Sequence, residues 1–256
     1  MTARDWHALV RPVLPHALND KDFPELSQVR IELGDQALYA VASDRYTLGA
    51  ERRALHSRDQ YQAMPPVHVR AADLAASLKL FAYNKDDDPD LRVTIDSVPV
   101  SAEIVGEERL VSSLGVTLES EDGGRLIMHD RRTPDRDQLA HWRWLLHTAM
   151  RRPPGAVLEG LSLGAAHLAR WKDAVRGGEV MRLYTGPKPA DTVLVTVERH
   201  FAGLWVPPQH IEVQAVDSLP WRGELSGAVA PSGHPQAHTG DPAGPDEPDD
   251  LDEGDD

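Results

Sequence analysis

An α+β fold, with antiparallel sheets interleaved with short amphipathic helices, is predicted by three observations. Val29, Ile31 and Leu33 alternate with Arg30, Glu32 and Gly34. Leu38, Ala40 and Ala42 then alternate with Tyr39, Val41 and Ser43 after a Gly34-Asp35-Gln36 loop, giving a hairpin with one wet face. Ala71 to Phe81 places Leu74, Leu78 and Phe81 on one helical face, between the strand Val67-His68-Val69 and several more strands. The same order of strand, helix and strands recurs over residues 158 to 206 and, more weakly, over residues 6 to 50.

Taken in order, Trp6 to Leu18 has helical apolar spacing interrupted by Pro12 and Pro15, so a broken helix is expected. Leu91 to Ile95 and Val98 to Val105 read as two strands, and Val116-Thr117-Leu118 pairs with Leu126-Ile127-Met128 across Glu121-Asp122-Gly123-Gly124. Leu139 to Met150 is a helix candidate stopped by Pro153-Pro154. Leu158 to Leu163 is a strand, and Ala165 to Arg176 a helix ended by Gly177-Gly178. Val180 to Tyr184, Thr192 to Glu198 and Phe201 to Val206 complete the strands.

The 256 residues are 41% hydrophobic, enough for a substantial core. Of the net charge of −14, nine charges fall between Asp241 and Asp256, a stretch without a base. From about Gly223 onward large apolar residues are nearly absent, so burial cannot offset ordering entropy and a disordered acidic tail is expected. With no cysteine there is neither a disulfide nor a thiolate metal site, in keeping with a reducing cytoplasm. The N-terminus has no signal-peptide pattern and no segment has the apolar length of a membrane helix, so a cytoplasmic protein without membrane contact is expected.

The hairpin runs into Ala42-Ser43-Asp44-Arg45-Tyr46-Thr47-Leu48, which resembles the "ATDGxRLA" segment of the bacterial DNA sliding clamp, the beta subunit of the replicative polymerase. PPVHVRAADLAASLKLF followed by LRVTI is similar to that family's "xVxVPxxxLxELxxLL … VxV", and Leu126 to Trp142, with Thr133-Pro134-Asp135, is distantly similar to its "DGxFPDYRxLI". Val180-Met181-Arg182-Leu183 and Phe201 to Pro208 are similar to its last strands and their "xxxVMPMRL" ending. The resemblance covers residues 6 to 208. It implies a sliding-clamp fold of repeated strand-helix-strands units, with antiparallel sheets outside and helices on one side.

The family resemblance implies a shortened clamp, because bacterial clamps have three domains and about 210 foldable residues suffice for two. The expected division is a first clamp-like domain over 1–131, a second, partly eroded one over 132–215, and the acidic tail over 216–256. The implied function is that of a polymerase processivity factor tethering replication or repair proteins to DNA. The implied partners are double-stranded DNA held without sequence preference, DNA polymerase and other clamp-binding peptides, and further copies of the chain in a ring. In such a clamp Arg45, Tyr46 and Leu48 form one wall of a peptide-binding pocket and Val206 and Pro207 another, suited to a Leu or Phe anchor. Arg70, Lys79, Lys172 and Arg176 are the DNA-contacting candidates, the last two at i, i+4 on one expected helix, with Arg143, Arg151 and Arg152 as further cations.

Sliding clamps are not enzymes, and the chain has no P-loop, HExxH or G-x-S-x-G pattern. No catalytic residue, cofactor or metal is therefore assigned. His141 and His147 lie six apart, off the i, i+4 spacing of a metal pair, and adjacent His129 and Asp130 on a strand would point to opposite faces. A different class remains open: a non-ring module that keeps the peptide pocket and acts as an adaptor or decoy for clamp-binding proteins.

Overall fold

The computed structural model describes residues 1–18, 20, 22–34, 36–55, 64–104, 107–132, 137, 139–152, 165–186 and 192–206, and the side chains of these except 100–104, 107–111 and 165. Contacts divide the chain into residues 1–213 and 214–256. The second unit, and with it the expected acidic tail, lies outside the described residues, as do the expected strand Leu158 to Leu163, Thr133-Pro134-Asp135 and Pro207.

Ten strands are described: β1 (Gln28–Leu33), β2 (Ala37–Ser43), β3 (Thr47–Ala54), β4 (Val67–Arg70), β5 (Leu91–Ile104), β6 (Glu107–Ser120), β7 (Arg125–His129), β8 (Met181–Tyr184), β9 (Val193–Val197) and β10 (Phe201–Trp205). Seven form an antiparallel sheet in the order β4-β1-β2-β3-β10-β9-β8, and β5-β6-β7 form a second. Strands from both expected domains share the larger sheet, because β3 pairs with β10 from Glu51↔Phe201 to Thr47↔Trp205.

Alternation sorts the larger sheet's side chains onto two buried faces. Ile31, Ala40, Ala42, Val195, Val197 and Trp205 join Trp6, Leu9 and Val10 of α1 (Ala3–Val10), Leu74 of α2 (Ala71–Leu80), Val116, Leu118 and Met128 of the smaller sheet, and Trp171. Val41, Leu48, Ala50, Leu194 and Leu204 face Trp142 and Leu146 of α3 (Trp142–Met150). The expected wet face of the first hairpin is therefore covered: Arg30 is buried, bonded to Glu32 (2.8 Å) and Asp137 (2.6 Å). Glu32 also accepts from Trp142 (3.2 Å) and Arg143 (2.7 Å). Burial pushes the Glu32 carboxyl up, but the bonds from Arg143, Arg30 and Trp142 outweigh it and leave the group below its usual range.

Local chemistry explains where elements depart from sequence expectation. α1 starts at Ala3, earlier than expected, because the Thr2 hydroxyl accepts from the Asp5 amide (3.2 Å), and it ends before Pro12. Its Trp6 Nε1 donates to Ser77 Oγ of α2 (2.9 Å), tying the two helices together. The two strands expected over 91–105 are one 14-residue strand, in register with β6 through Pro99↔Ser112. Pro99 is tolerated because β5 is an edge strand, where a missing N–H breaks no ladder. Beyond the motif ending at Leu48 no strand is expected from sequence, yet Thr47–Ala54 is a full strand at the centre of the sheet. The helix expected over 165–176 is four residues of α4 (Ala165–Leu168) followed by a 3₁₀ turn (Ala169–Asp173), so Lys172 and Arg176 do not share a helical face.

Gly49 and Gly203 face each other across β3 and β10. A Cβ on Gly49 would lie 2.4 Å from His16 Cδ2, and one on Gly203 2.3 Å from Trp171 Cζ3. The missing side chains let those two rings lie on the sheet, 4.5 Å apart between centroids.

Candidate functional site

The candidate site is the turn from β2 into β3 and the end of β10 beside it. Asp44, 3% exposed, holds the turn: its Oδ1 accepts from the amides of Tyr46 (3.1 Å) and Thr47 (2.7 Å) and from the Thr47 hydroxyl (2.9 Å). Its Oδ2 pairs with Arg170 Nη1, which also donates to Thr47 Oγ1 (3.1 Å). Burial raises the Asp44 carboxyl, but the Arg170 and Thr47 bonds prevail and keep it below the ordinary Asp range.

The Thr47 hydroxyl has one proton, given to Asp44, so His16 Nδ1, 3.1 Å away, must donate to it. Burial, partly opposed by Asp44 and reinforced by Arg170, lowers the His16 pKa to about 3, and the ring is neutral.

This scaffold sets Arg45 at φ 76°, the left-handed conformation that the family pattern meets with Gly. The exposed Arg45 places its guanidinium 4.5 Å from the Phe23 ring centroid. Tyr46 is 60% exposed. The Val206 amide donates to the Tyr46 carbonyl (2.8 Å), so the two expected walls meet directly although 160 positions separate them. Leu48 is 5% exposed in the cluster beneath α3 and has no accessible face for a ligand.

Residues not foreseen from sequence complete the surface. His167 stacks on Tyr46 (6.1 Å, 20°) and meets the edge of Trp205 (6.1 Å, 88°), with Leu168 exposed beside it. Nothing local in the sequence separates Arg170 from the other arginines; only the fold brings it to Asp44.

The basic candidates divide. Arg70, Lys79 and Lys172 are exposed; Arg70 also lines a cavity of about 680 Å³ between α2 and the Leu14 to Ser27 segment. Arg176 is committed to structure, donating to the fully buried Glu51 (2.9 Å) and the Ala8 carbonyl (2.7 Å). Arg143 is held by Glu32 and lies over the Tyr39 and Trp142 rings. No group of His, Asp and Glu suited to a metal occurs among the described residues.

Seven-strand and three-strand antiparallel sheets, a hairpin ending in a capped turn, and that turn joined to the last described strand make this a sliding-clamp fold. The solved structures it matches include bacterial polymerase beta subunits. The putative DNA polymerase III beta subunit of Eubacterium rectale is 12% identical with a TM-score of 0.55, over 82% of this chain and 64% of that one. The beta subunit from DNA polymerase of Streptococcus pyogenes is 14% identical with a TM-score of 0.53, over 81% and 64%. The DNA polymerase III beta subunit of Thermotoga maritima is 10% identical with a TM-score of 0.54, over 84% and 65%. This chain thus spans a little under two thirds of the length of these clamps. No protein-family model and no curated sequence matches it.

Proposed function

We propose that this protein is a shortened sliding clamp that tethers a DNA polymerase or other replication and repair proteins to DNA, in the cytoplasm, through a peptide-docking face at Arg45, Tyr46 and Val206. The observation carrying this reading is the Val206 to Tyr46 hydrogen bond, which joins the two chain-distant segments of the family pattern beneath an exposed tyrosine. Leu48 lies in the core beneath α3 and takes no part in the face, and Pro207 is the next residue of the chain after Val206. The DNA partner is duplex of any sequence, met by Arg70, Lys79 and Lys172 through phosphate charge alone. Two clamp-like halves over 1–131 and 132–215, joined by a shared sheet, are the natural unit of a ring built from several copies.

Exposed Tyr46 can be removed without opening the core. Tyr46→Ala is expected to weaken a fluorescein-labelled peptide carrying a Leu-Phe anchor at least tenfold, about 1.4 kcal/mol, in an anisotropy titration. Its melting temperature should stay within a few degrees of the parent's. Unchanged affinity refutes the assignment.

One observation favours a second reading, a non-ring adaptor that binds clamp-interacting proteins. Arg176 is spent on Glu51, leaving fewer cations for DNA than the sequence promised.

A further inference from the structure

The face around Tyr46 has a third side, supplied by a segment that belongs to neither strand motif. His167 covers one side of the Tyr46 ring and touches Trp205, and Leu168, 41% exposed, extends the apolar surface beyond it. Two residues on, Arg170 reaches back to the buried Asp44 carboxylate that receives the Tyr46 and Thr47 amides. The next residue, Trp171, is 1% exposed and packs on His16, whose ring donates to the same Thr47 hydroxyl that Arg170 contacts. The backbone presenting Tyr46 and the segment carrying His167 are thus held by one set of bonds. Neither can shift without breaking the Asp44–Arg170 pair.

We propose that residues 167–170 are the third wall of the docking face, with His167 contacting the bound peptide and Arg170 acting as the positioning residue for Tyr46. This rests on the reading that Tyr46 docks a peptide. The occupant is a short linear peptide with an aromatic or aliphatic anchor flanked by acidic residues. The ring faces of Tyr46 and His167 and the Leu168 side chain take the anchor. Arg45, exposed at the same turn, takes the flanking carboxylate. Because the wall and the turn share their bonds, a peptide that orders one orders the other.

The test uses the full chain and a short fluorescein-labelled peptide with a Leu-Phe anchor between aspartates, beside a control with asparagines. The wild type should bind the aspartate peptide several-fold more tightly than the control. His167→Ala should weaken it about tenfold without moving the melting temperature, and Arg170→Lys, which keeps the charge beside Asp44, should weaken it three- to tenfold. Amide hydrogen exchange supplies a readout that a purely structural role would not move: added peptide should slow exchange at Tyr46, Thr47 and residues 167–170 together. Binding that Tyr46→Ala abolishes but His167→Ala and Arg170→Lys leave within twofold, or peptide protection confined to the turn, overturns the third wall alone. Equal affinity for the two peptides overturns the acidic preference, and no binding by the wild type overturns this inference together with the docking face.

Discussion

The carboxylate of Asp44 takes three donors of its own turn on one oxygen and Arg170 on the other, so a buried charge costs little and fixes an exposed tyrosine. The backbone it imposes puts Arg45 in left-handed space, where a side chain is disfavoured by roughly 1 kcal/mol against glycine, and the Phe23 contact offsets part of that. At the facing glycines the constraint is steric. A methyl on Gly203 meets Trp171 on one side and, at 2.5 Å, the Leu48 carbonyl on the other, and that carbonyl belongs to a paired strand. Gly203→Ala is expected to destabilise the protein by about 2–3 kcal/mol, read as a fall in urea midpoint at constant slope. A variant as stable as the parent would mean that Trp171 does not lie against the sheet.

Among the elements, the turn joining β9 to β10 is locked by a charge relay instead of apolar packing. His200 Nδ1 lies 3.1 Å from Glu51 and its Nε2 3.1 Å from Glu179, with Arg176 donating to Glu51, Arg53 3.8 Å from the same carboxylate, and Arg52 bonded through its amide to the His200 carbonyl. Hydrogen bonding to Glu51 raises the His200 pKa above its ordinary 6.5 despite burial. A raised value means that the contribution is complete below pH 6.5, the unfolded value, and fades as pH climbs through the higher folded value. His16 and His68 act in the opposite sense. Burial lowers both, so their contribution is complete above pH 6.5 and is lost as the unfolded chain takes up protons in acid. The stability difference between wild type and His200→Gln should therefore be largest at pH 6, on the order of 1 kcal/mol, and shrink by pH 9. Urea titrations at the two pH values measure it, and a difference that grows with pH contradicts the relay.

At the scale of the molecule, the sheet runs without interruption from β4 to β8, pairing β3 with β10, and the chain covers 64% to 65% of the three clamps named above. Ring closure needs each copy to present two different, complementary ends. Native mass spectrometry is expected to give a closed oligomer of two or three copies, and the protein should be retained on nicked circular DNA and lost when the circle is cut. A strict monomer with intact peptide binding would favour the adaptor.

Much of this architecture is legible in the sequence because it depends on short-range periodicity. The alternation of Val29 to Ser43, the helix spacing of Leu74 and Leu78, and the hairpin at Gly123-Gly124 each act within a few residues, and all three are present. The turn motif at Asp44 was equally local. Periodicity said nothing about what lay across the sheet: that Arg30 would be buried against Glu32 and Asp137, that Leu48 would be core, or that Arg176 would be taken by Glu51. Likewise, Arg170 and His167 reach the turn only because residues 165–173 fold over it from more than a hundred positions away. The sequence by itself determined the alternating first hairpin, the helix α2 and the hairpin at Gly123-Gly124, each set by neighbours a few residues apart. Which cations stay free and which side chains wall the docking face was decided only by tertiary packing, because pairing and burial depend on neighbours that local pattern does not encode.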